Sequence, residues 1–218
     1  QEQIAKKLGV SRPTVVRILK QALEDGHVVI KMASRLPHFI ELETKIEALL
    51  GEHGLRRVVV AEGVETDARI TVAREAAHLL ESQLKTEDIL GVGWSSTLMH
   101  INQFLRKGKF SPQRVVQLGG YIGNVENASA QEISVLMGEI LQAPVASIPA
   151  PVLVSSAALR EALMEDPAIK QSMEWVRKCS VGIVGIGVAT TRSTLVTTGY
   201  LTEAEISAAR DRGAIGDV

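Results

Sequence analysis

The stretch "LGVGWSSTLMH", residues 90–100, decides what kind of fold this chain forms. It runs from an apolar segment through Gly91 and Gly93 to the bulky Trp94, then to three consecutive hydroxyl residues, Ser95, Ser96 and Thr97. Glycine lets backbone N–H groups come close to a ligand, and hydroxyls donate to anionic oxygens. A helical pattern follows, so the segment reads as a strand, a permissive loop and a helix whose first amides lack intrahelical partners. That is how a chain builds a cradle for a phosphate group, in enzymes and sensors alike. The competing reading is a tight strand–helix turn with a hydroxyl N-cap. The third glycine of a dinucleotide fingerprint is absent, as is the Gly-Lys-Ser/Thr of a triphosphate P-loop. A small phosphorylated molecule therefore suits the loop better than NAD or ATP.

Outward from this loop, short apolar runs alternate with longer helical patterns. "RRVVVAEG" (56–63), "DILGVG" (88–93), "QRVVQLGG" (113–120), "APVASIPAP" (143–151) and "SVGIVGIG" (180–187) read as strands. Helices are expected at 66–84, 96–106, 130–141, 156–164, 167–178 and 202–212. Such alternation predicts an α/β fold, a Rossmann-like parallel sheet with helices on both faces. These sheets bind ligands at the carboxyl ends of their strands. Two further strand ends carry glycine loops. Gly119-Gly120-Tyr121-Ile122-Gly123-Asn124 follows "VVQL", with Gln117 at the strand end, and Gly185-Ile186-Gly187 follows "SVGIV". Each could line the same crevice or be a plain turn.

The composition, 45% hydrophobic and 22% charged, is that of an ordinary soluble globule, and at 218 residues one large domain plus something smaller is expected. Aromatics are scarce, so the core should be built from Val, Leu, Ile and Ala. A single Cys179 excludes an internal disulfide framework and fits a reducing, cytoplasmic compartment. The longest apolar run, 181–189, is too short to span a bilayer, so no membrane association is expected. Gln1 already lies inside a helical pattern and the closing "GAIGDV" reads as the start of another strand, so the chain is expected to be a fragment of a longer protein.

Charge divides the chain unevenly: residues 1–35 carry a net +4 and the remainder −5. A basic head on an acidic body suggests that only the head meets a polyanion. In "QEQIAKKLGVSRPTVVRILKQALEDG", Ile4 and Leu8 share a helix face beside the small Ala5, and Gly9 follows as a left-handed terminator. Ser11 is a natural N-cap with Pro13 in the next first turn, and Val15, Ile18, Leu19, Ala22 and Leu23 form a second apolar stripe. This is the helix-turn-helix pattern. Ser11, Arg12, Thr14, Arg17, Lys20 and Gln21 face outward, able to bond phosphates or base edges as a recognition helix does. "GHVVIKMA" (26–33) reads as a turn and a β wing. A plain αα-hairpin with a solvated basic face is the alternative. Ser34-Arg35-Leu36-Pro37 marks a boundary, and "HFIELETKIEALLGEHG" places Ile40, Ile46, Leu49 and Leu50 on a helical stripe, either a connector or an oligomer contact. The expected domains are 1–35, a linker helix at 36–54, and an effector-binding body at 55–218.

Catalytic candidates are thin. His27, His38, His53, His78 and His100 show no metal-ligand spacing, Cys179 borders an apolar strand, and the serines of the glycine loop have no neighbouring general base. Asp217 alone offers a carboxylate in a small-residue turn, where it could reach the crevice or simply cap the turn. No catalytic residue, metal or cofactor is assigned.

"IAKKLGVSRPTVVRILKQALEDGHV", "GVGWSSTL", "VVQLGG", "VGIVGIG" and "GYLTEAEISAARDRGAIGDV", in this order and spacing, resemble the SorC family of bacterial transcriptional regulators across essentially the whole chain. The resemblance implies a helix-turn-helix joined to a domain with the fold of sugar-phosphate isomerases, a phosphorylated sugar effector, operator DNA as partner, and assembly into homo-dimers or tetramers. It assigns Gly91, Gly93, Trp94, Ser95, Ser96 and Thr97 to the phosphate loop. It sets Gln117, Gly119, Gly120 and Gly187 at the effector site, with Gly216 and Asp217 in the turn nearby. Members of the family continue past the position of Val218 with a glycine-and-lysine segment that helps hold the phosphate, so the pocket is expected to be incomplete here. Some carry a lysine able to form a Schiff base where this chain has Gly119-Gly120, which argues against a covalent adduct. Trp94 replaces a smaller residue. The expected function is a DNA-binding transcriptional regulator controlled by a phosphorylated sugar or related carbohydrate metabolite; the alternatives are a sugar-phosphate isomerase-like enzyme with a helical appendage, and an oligomerisation module with a degenerate pocket.

Overall fold

The computed structural model describes residues 2–24, 37–62, 68–108, 111–121 and 129–218. The expected wing at 26–33, the boundary residues 34–36, and Ile122, Gly123 and Asn124 lie outside them. The chain divides into two compact units, Gln1–Val58 and Val59–Val218.

In the first unit α1 (Glu2–Leu8) and α2 (Arg12–Glu24) are joined by a tight turn. Gly9 takes φ +66° and Val10 N–H reaches back to the Ala5 carbonyl at 3.1 Å, which closes α1 in the left-handed way only glycine does cheaply. Ser11 Oγ then accepts from Thr14 N–H at 3.3 Å, starting α2. Ala5 and Val15 are buried in this pair. Ile4, Leu8 and Ile18, expected on inward faces, are exposed in this unit. α3 (Pro37–Leu50) follows and passes into a 3₁₀ turn, Gly51–His53. Its expected apolar stripe is open at Ile40, Leu49 and Leu50, with Ile46 half-buried.

The second unit holds a four-stranded parallel sheet in the order β3-β2-β1-β4: β1 Ile89–Val92, β2 Arg114–Gln117, β3 Val145–Ala146 and β4 Val181–Ile183. Leu90, Val92 and Val115 face α4 (Ala68–Gln83), α5 (Ala130–Leu141) and a 3₁₀ helix at Leu98–Gln103, in a core with Ala77, Leu80, Ile101, Ile133, Met137 and Leu141. The opposite face meets α7 (Pro167–Arg177), where Arg114 stacks on the Trp175 ring at 4.3 Å. α6 (Ala157–Glu165), α8 (Thr194–Thr197) and α9 (Glu203–Asp211) complete the unit. The α9 start is a capping box in which Thr202 and Glu205 satisfy each other's orphan amides.

Three local expectations are corrected. Residues 56–62 form no strand; Val58 N–H donates to the Glu47 carboxylate at 2.8 Å, and β-branched composition alone does not make a strand. The expected helix at 96–106 is a shorter 3₁₀ helix, because its first turn is consumed by the loop. The strand at 143–151 shrinks to two residues, since Pro144 and Pro149 lack the N–H a ladder needs.

Close packing of α5 on β3 requires Gly138, whose added Cβ would overlap the Val145 side chain and approach the Ala143 carbonyl at 3.1 Å. Alanine normally favours a helix over glycine by ~1 kcal/mol. Here Gly138→Ala is expected to lower stability by ~1–3 kcal/mol, seen as a drop in Tm of roughly 2–12 °C; a rise would show that α5 does not pack this tightly.

Candidate functional site

The chain crosses from β1 to β2 and β3 on one side, then returns to place β4 on the other. The carboxyl ends of β1 and β4 therefore bracket the point where strand order reverses, the place at which open α/β sheets leave a crevice. The β1–β4 ladder ends with Gly93 N–H donating to the Ile183 carbonyl at 2.9 Å. Just beyond lies a cleft of about 90 Å³, lined by Trp94, Ser95, Ser96, Thr97, Gly185, Ile186, Gly187, Thr194 and Asp217. A single water-sized group needs only ~10–15 Å³ measured this way, so several ligand atoms fit.

Ser95 organises the floor. Its Oγ accepts from Thr97 N–H at 3.1 Å and from Leu98 N–H at 3.3 Å. With both lone-pair directions engaged, the hydroxyl has only its proton left to offer. Hydrogen bonds accepted by a hydroxyl also strengthen the one it donates. Ser95 thus braces the turn ahead of the following 3₁₀ helix, whose own N-cap Thr97 makes no side-chain cap bond, and its hydroxyl lies on the cleft wall. Gly185 packs so closely on Ser95 that an added Cβ would sit 2.5 Å from the serine Cβ, which fixes the hydroxyl in place.

The opposite wall is built by two backbones running side by side. Gly187 N–H donates to the Asp217 carbonyl at 2.9 Å and Ala189 N–H to the Ile215 carbonyl at 3.1 Å. A Cβ on Gly187 would collide with the Asp217 carboxylate, and one on Gly216 with the Gly187 carbonyl. Both glycines are needed for this approach, and together they set the Asp217 side chain in the cleft. Thr194 enters from the first turn of α8, which Ser193 caps. Among the described residues the lining holds one carboxylate and no lysine or arginine. It can donate through hydroxyls and amides at one end and accept through Asp217 at the other.

The structure thus brings Trp94, Ser95, Ser96, Thr97, Gly187 and Asp217 together and leaves five expected residues elsewhere. Gly91 is buried in β1, where a Cβ would lie 2.6 Å from Leu118 Cδ2 and 3.1 Å from Cys179 Sγ. Gly93 packs on Val184. Gln117 is buried, its Oε1 accepting from Ile148 N–H at 3.2 Å, while its Nε2 has no partner among the described residues. Gly119 and Gly120 line a different, mainly apolar cavity of about 560 Å³ with Leu118, Ile148, Leu163 and Met173. Gly120 is glycine because the 150–152 backbone passes over it. Ile186 and Thr194 belong to the cleft without having been assigned to it. Gly185-Ile186-Gly187 was legible as a glycine loop, whereas Thr194 carried no signal beyond its place beside a serine cap. Burial pushes the Cys179 thiol up from its ordinary value, as suits a packing residue. Among the described residues no group of His, Cys, Asp or Glu is arranged to hold a metal, and no helix is long and apolar enough to cross a membrane.

On α2, Ser11, Arg12, Arg17, Lys20 and Gln21 are exposed and Thr14 half-buried. At 100° per residue Thr14, Arg17, Lys20 and Gln21 share an arc of ~120° facing away from Val15.

Residues 34–218 match the family described as "Putative sugar-binding domain". The chain is 30% identical to the deoxyribonucleoside regulator of Bacillus subtilis, covering 100% of this chain and 70% of that protein. It is 28% identical to the transcriptional regulator LsrR of an Enterobacter species, covering 100% of this chain and 66% of that one. It thus spans about two thirds of the length of these relatives. Among solved structures, the full-length sorbitol operon regulator SorC of Klebsiella pneumoniae superposes with a TM-score of 0.75 at 24% identity, covering 99% of this chain and 71% of that one, a likeness of fold. A domain of a possible sugar-binding transcriptional regulator from Arthrobacter aurescens gives 0.71 at 25% identity, covering 85% and 72%.

If Gly187 exists to admit the Asp217 segment, Gly187→Ala should part the two backbones without unfolding the sheet. The amides of Gly187 (as Ala) and Ala189 are expected to exchange roughly tenfold faster, about 1.4 kcal/mol of lost local protection, while Leu90 and Val92 keep their rates. Equal acceleration in β1 would mean that the substitution damages the core instead.

Proposed function

We propose, from the premise that this chain belongs to the SorC-type family of sugar-binding transcriptional regulators, that the cleft between β1 and β4 seats its effector and that α2 reads operator DNA. The protein is a sugar-responsive regulator and not an enzyme. The observation that carries the site reading is the convergence of Ser95, Ser96, Thr97, Gly187, Thr194 and Asp217 on one cleft at the strand-order switch.

The division of the cleft into donors and one acceptor fits a phosphorylated sugar. Its phosphoryl oxygens would meet the Ser95 hydroxyl, the Ser96 and Thr97 side chains and the loop amides. Asp217 would repel an anion but accept hydrogen bonds from sugar hydroxyls, so it orients the ligand with its phosphate toward the loop. Trp94 forms an apolar side against the sugar ring. Gln117, with its spare buried amide, and Gly119 and Gly120, in the neighbouring cavity, are kept as a secondary part of the effector site on family resemblance alone. In the first unit, Arg12, Arg17 and Lys20 would neutralise phosphates, and Ser11, Thr14 and Gln21 would bond backbone or base edges in the major groove. Two copies of α2 in a homo-oligomer would have to stand ~34 Å apart, or a multiple of it, to meet successive grooves. An effector favouring one spacing shifts operator affinity, and operator reciprocally shifts effector affinity.

A thermal-shift screen of aldose and ketose phosphates on the full chain should find one that raises Tm, by an amount that grows with the logarithm of its concentration above Kd. Replacing Ser95 and Thr97 together by Ala should remove that rise while leaving operator binding intact; loss of both would indicate a folding defect. Arg12→Ala or Arg17→Ala should weaken operator binding, and lower its salt dependence by about one unit of slope per lost phosphate contact, with the thermal shift unchanged.

A further inference from the structure

The loop residues are tied to a second, less settled element. Residues 98–103 form a 3₁₀ helix of six residues, longer than the three or four at which such helices normally stop. Its bonding is mixed: His100 and Phe104 donate three residues back, to Thr97 and Ile101, whereas Met99 and Leu105 donate four back, to Ser95 and Ile101. Both the α and the 3₁₀ pattern are thus represented in one short segment. Near its end Asn102 has Nδ2 and Oδ1 buried, and neither finds a partner among the described residues. An unpaired buried polar atom raises the free energy of the state that holds it. Just ahead of it Ser95, on the cleft wall, accepts from the Thr97 and Leu98 amides and braces the turn that leads into the element. Beyond its end it is fastened to α4. Arg106 N–H donates to Glu81 Oε1 at 2.8 Å, Arg106 Nε to Glu81 Oε2 at 2.7 Å, and Nη2 joins the same carboxylate. Arg74 of α4 also lies over the Phe104 ring at 5.1 Å.

We infer that residues 98–103 are a two-register element that reports occupancy of the Ser95 loop to α4, with Asn102, Glu81 and Arg106 as positioning residues. The inference rests on the reading of Trp94–Thr97 as an oxyanion seat. An oxyanion drawn to the Thr97 and Leu98 amides competes with Ser95 Oγ for them and releases the cap that holds the 3₁₀ register. Tightening six residues from 2.0 to 1.5 Å per residue shortens the segment by ~3 Å and turns its far end by roughly a third of a turn. Asn102 leaves its unpaired position, and the Arg106–Glu81 clasp, made for one register, gives way.

The test uses the full chain with inorganic phosphate as probe, followed by hydrogen exchange and by thermal shift. Phosphate should slow exchange in residues 94–98 and speed it several-fold in 79–84, the last turn of α4. Glu81→Gln should keep the loop protection but abolish the response of 79–84. Asn102→Leu, which removes both unpaired atoms at nearly constant shape, should raise Tm by favouring the empty register. By the same preference it should weaken phosphate binding roughly tenfold, an effect that misfolding cannot produce together with a higher Tm. Loop protection with 79–84 unchanged in the unsubstituted protein would overturn the coupling while leaving the seat intact. So would an Asn102→Leu protein that is more stable but binds phosphate equally well. Phosphate that protects nothing in 94–98 would overturn the seat and the coupling together.

Discussion

The hydrogen bond from Gly93 to Ile183 is the last rung that holds β1 to β4, and the rest of the site depends on where it stops. One residue further and the two strand ends would be zipped together, with no space between them. Among the described strands the order 3-2-1-4 places β1 and β4 where the strand order reverses, the position at which open α/β sheets leave a crevice. What fills it instead is chosen locally. Ser95 pins the β1 side, the Gly187–Asp217 approach pins the β4 side, and Thr194 closes the end.

The fold was legible in the sequence wherever burial imposed a period. α5 occupies 130–141 as its spacing predicts, because Ile133, Met137 and Leu141 recur at i, i+4 and i+8 on a face that must be dry. β1, β2 and β4 were found from apolar runs that a doubly covered sheet demands. The segment at 56–62 has the same β-branched composition but is not a strand, since pairing is not written in a single strand's residues.

The site was legible only in part, for a reason that concerns glycine. Gly91, Gly120 and Gly187 look alike in sequence, each at or near a strand end. A Cβ at Gly91 would meet Leu118 and Cys179, at Gly120 a passing backbone, and at Gly187 the Asp217 carboxylate. A glycine thus marks a close approach without saying what approaches. Two of these three serve packing. Hydroxyl and carboxylate residues proved the better guide, since Ser95, Ser96, Thr97 and Asp217 all reach the cleft. Their chemistry has no use in a core unless it is paired.

Ser95 shows why the two readings of the opening motif were never exclusive. A hydroxyl that caps the following turn is held in one rotamer by the amides it accepts, and that constraint aims its proton outward. In the proposed reading local structure and ligand recognition draw on the same atom, with the acceptor side of Ser95 spent on the Thr97 and Leu98 amides and the donor side kept for the cleft. An oxyanion that also takes those two amides must displace Ser95 Oγ from them, and that displacement is what would carry occupancy beyond the loop. A catalytic loop gains from donors that do not move during the reaction. A sensor needs the opposite, a seat whose filling changes something beyond it.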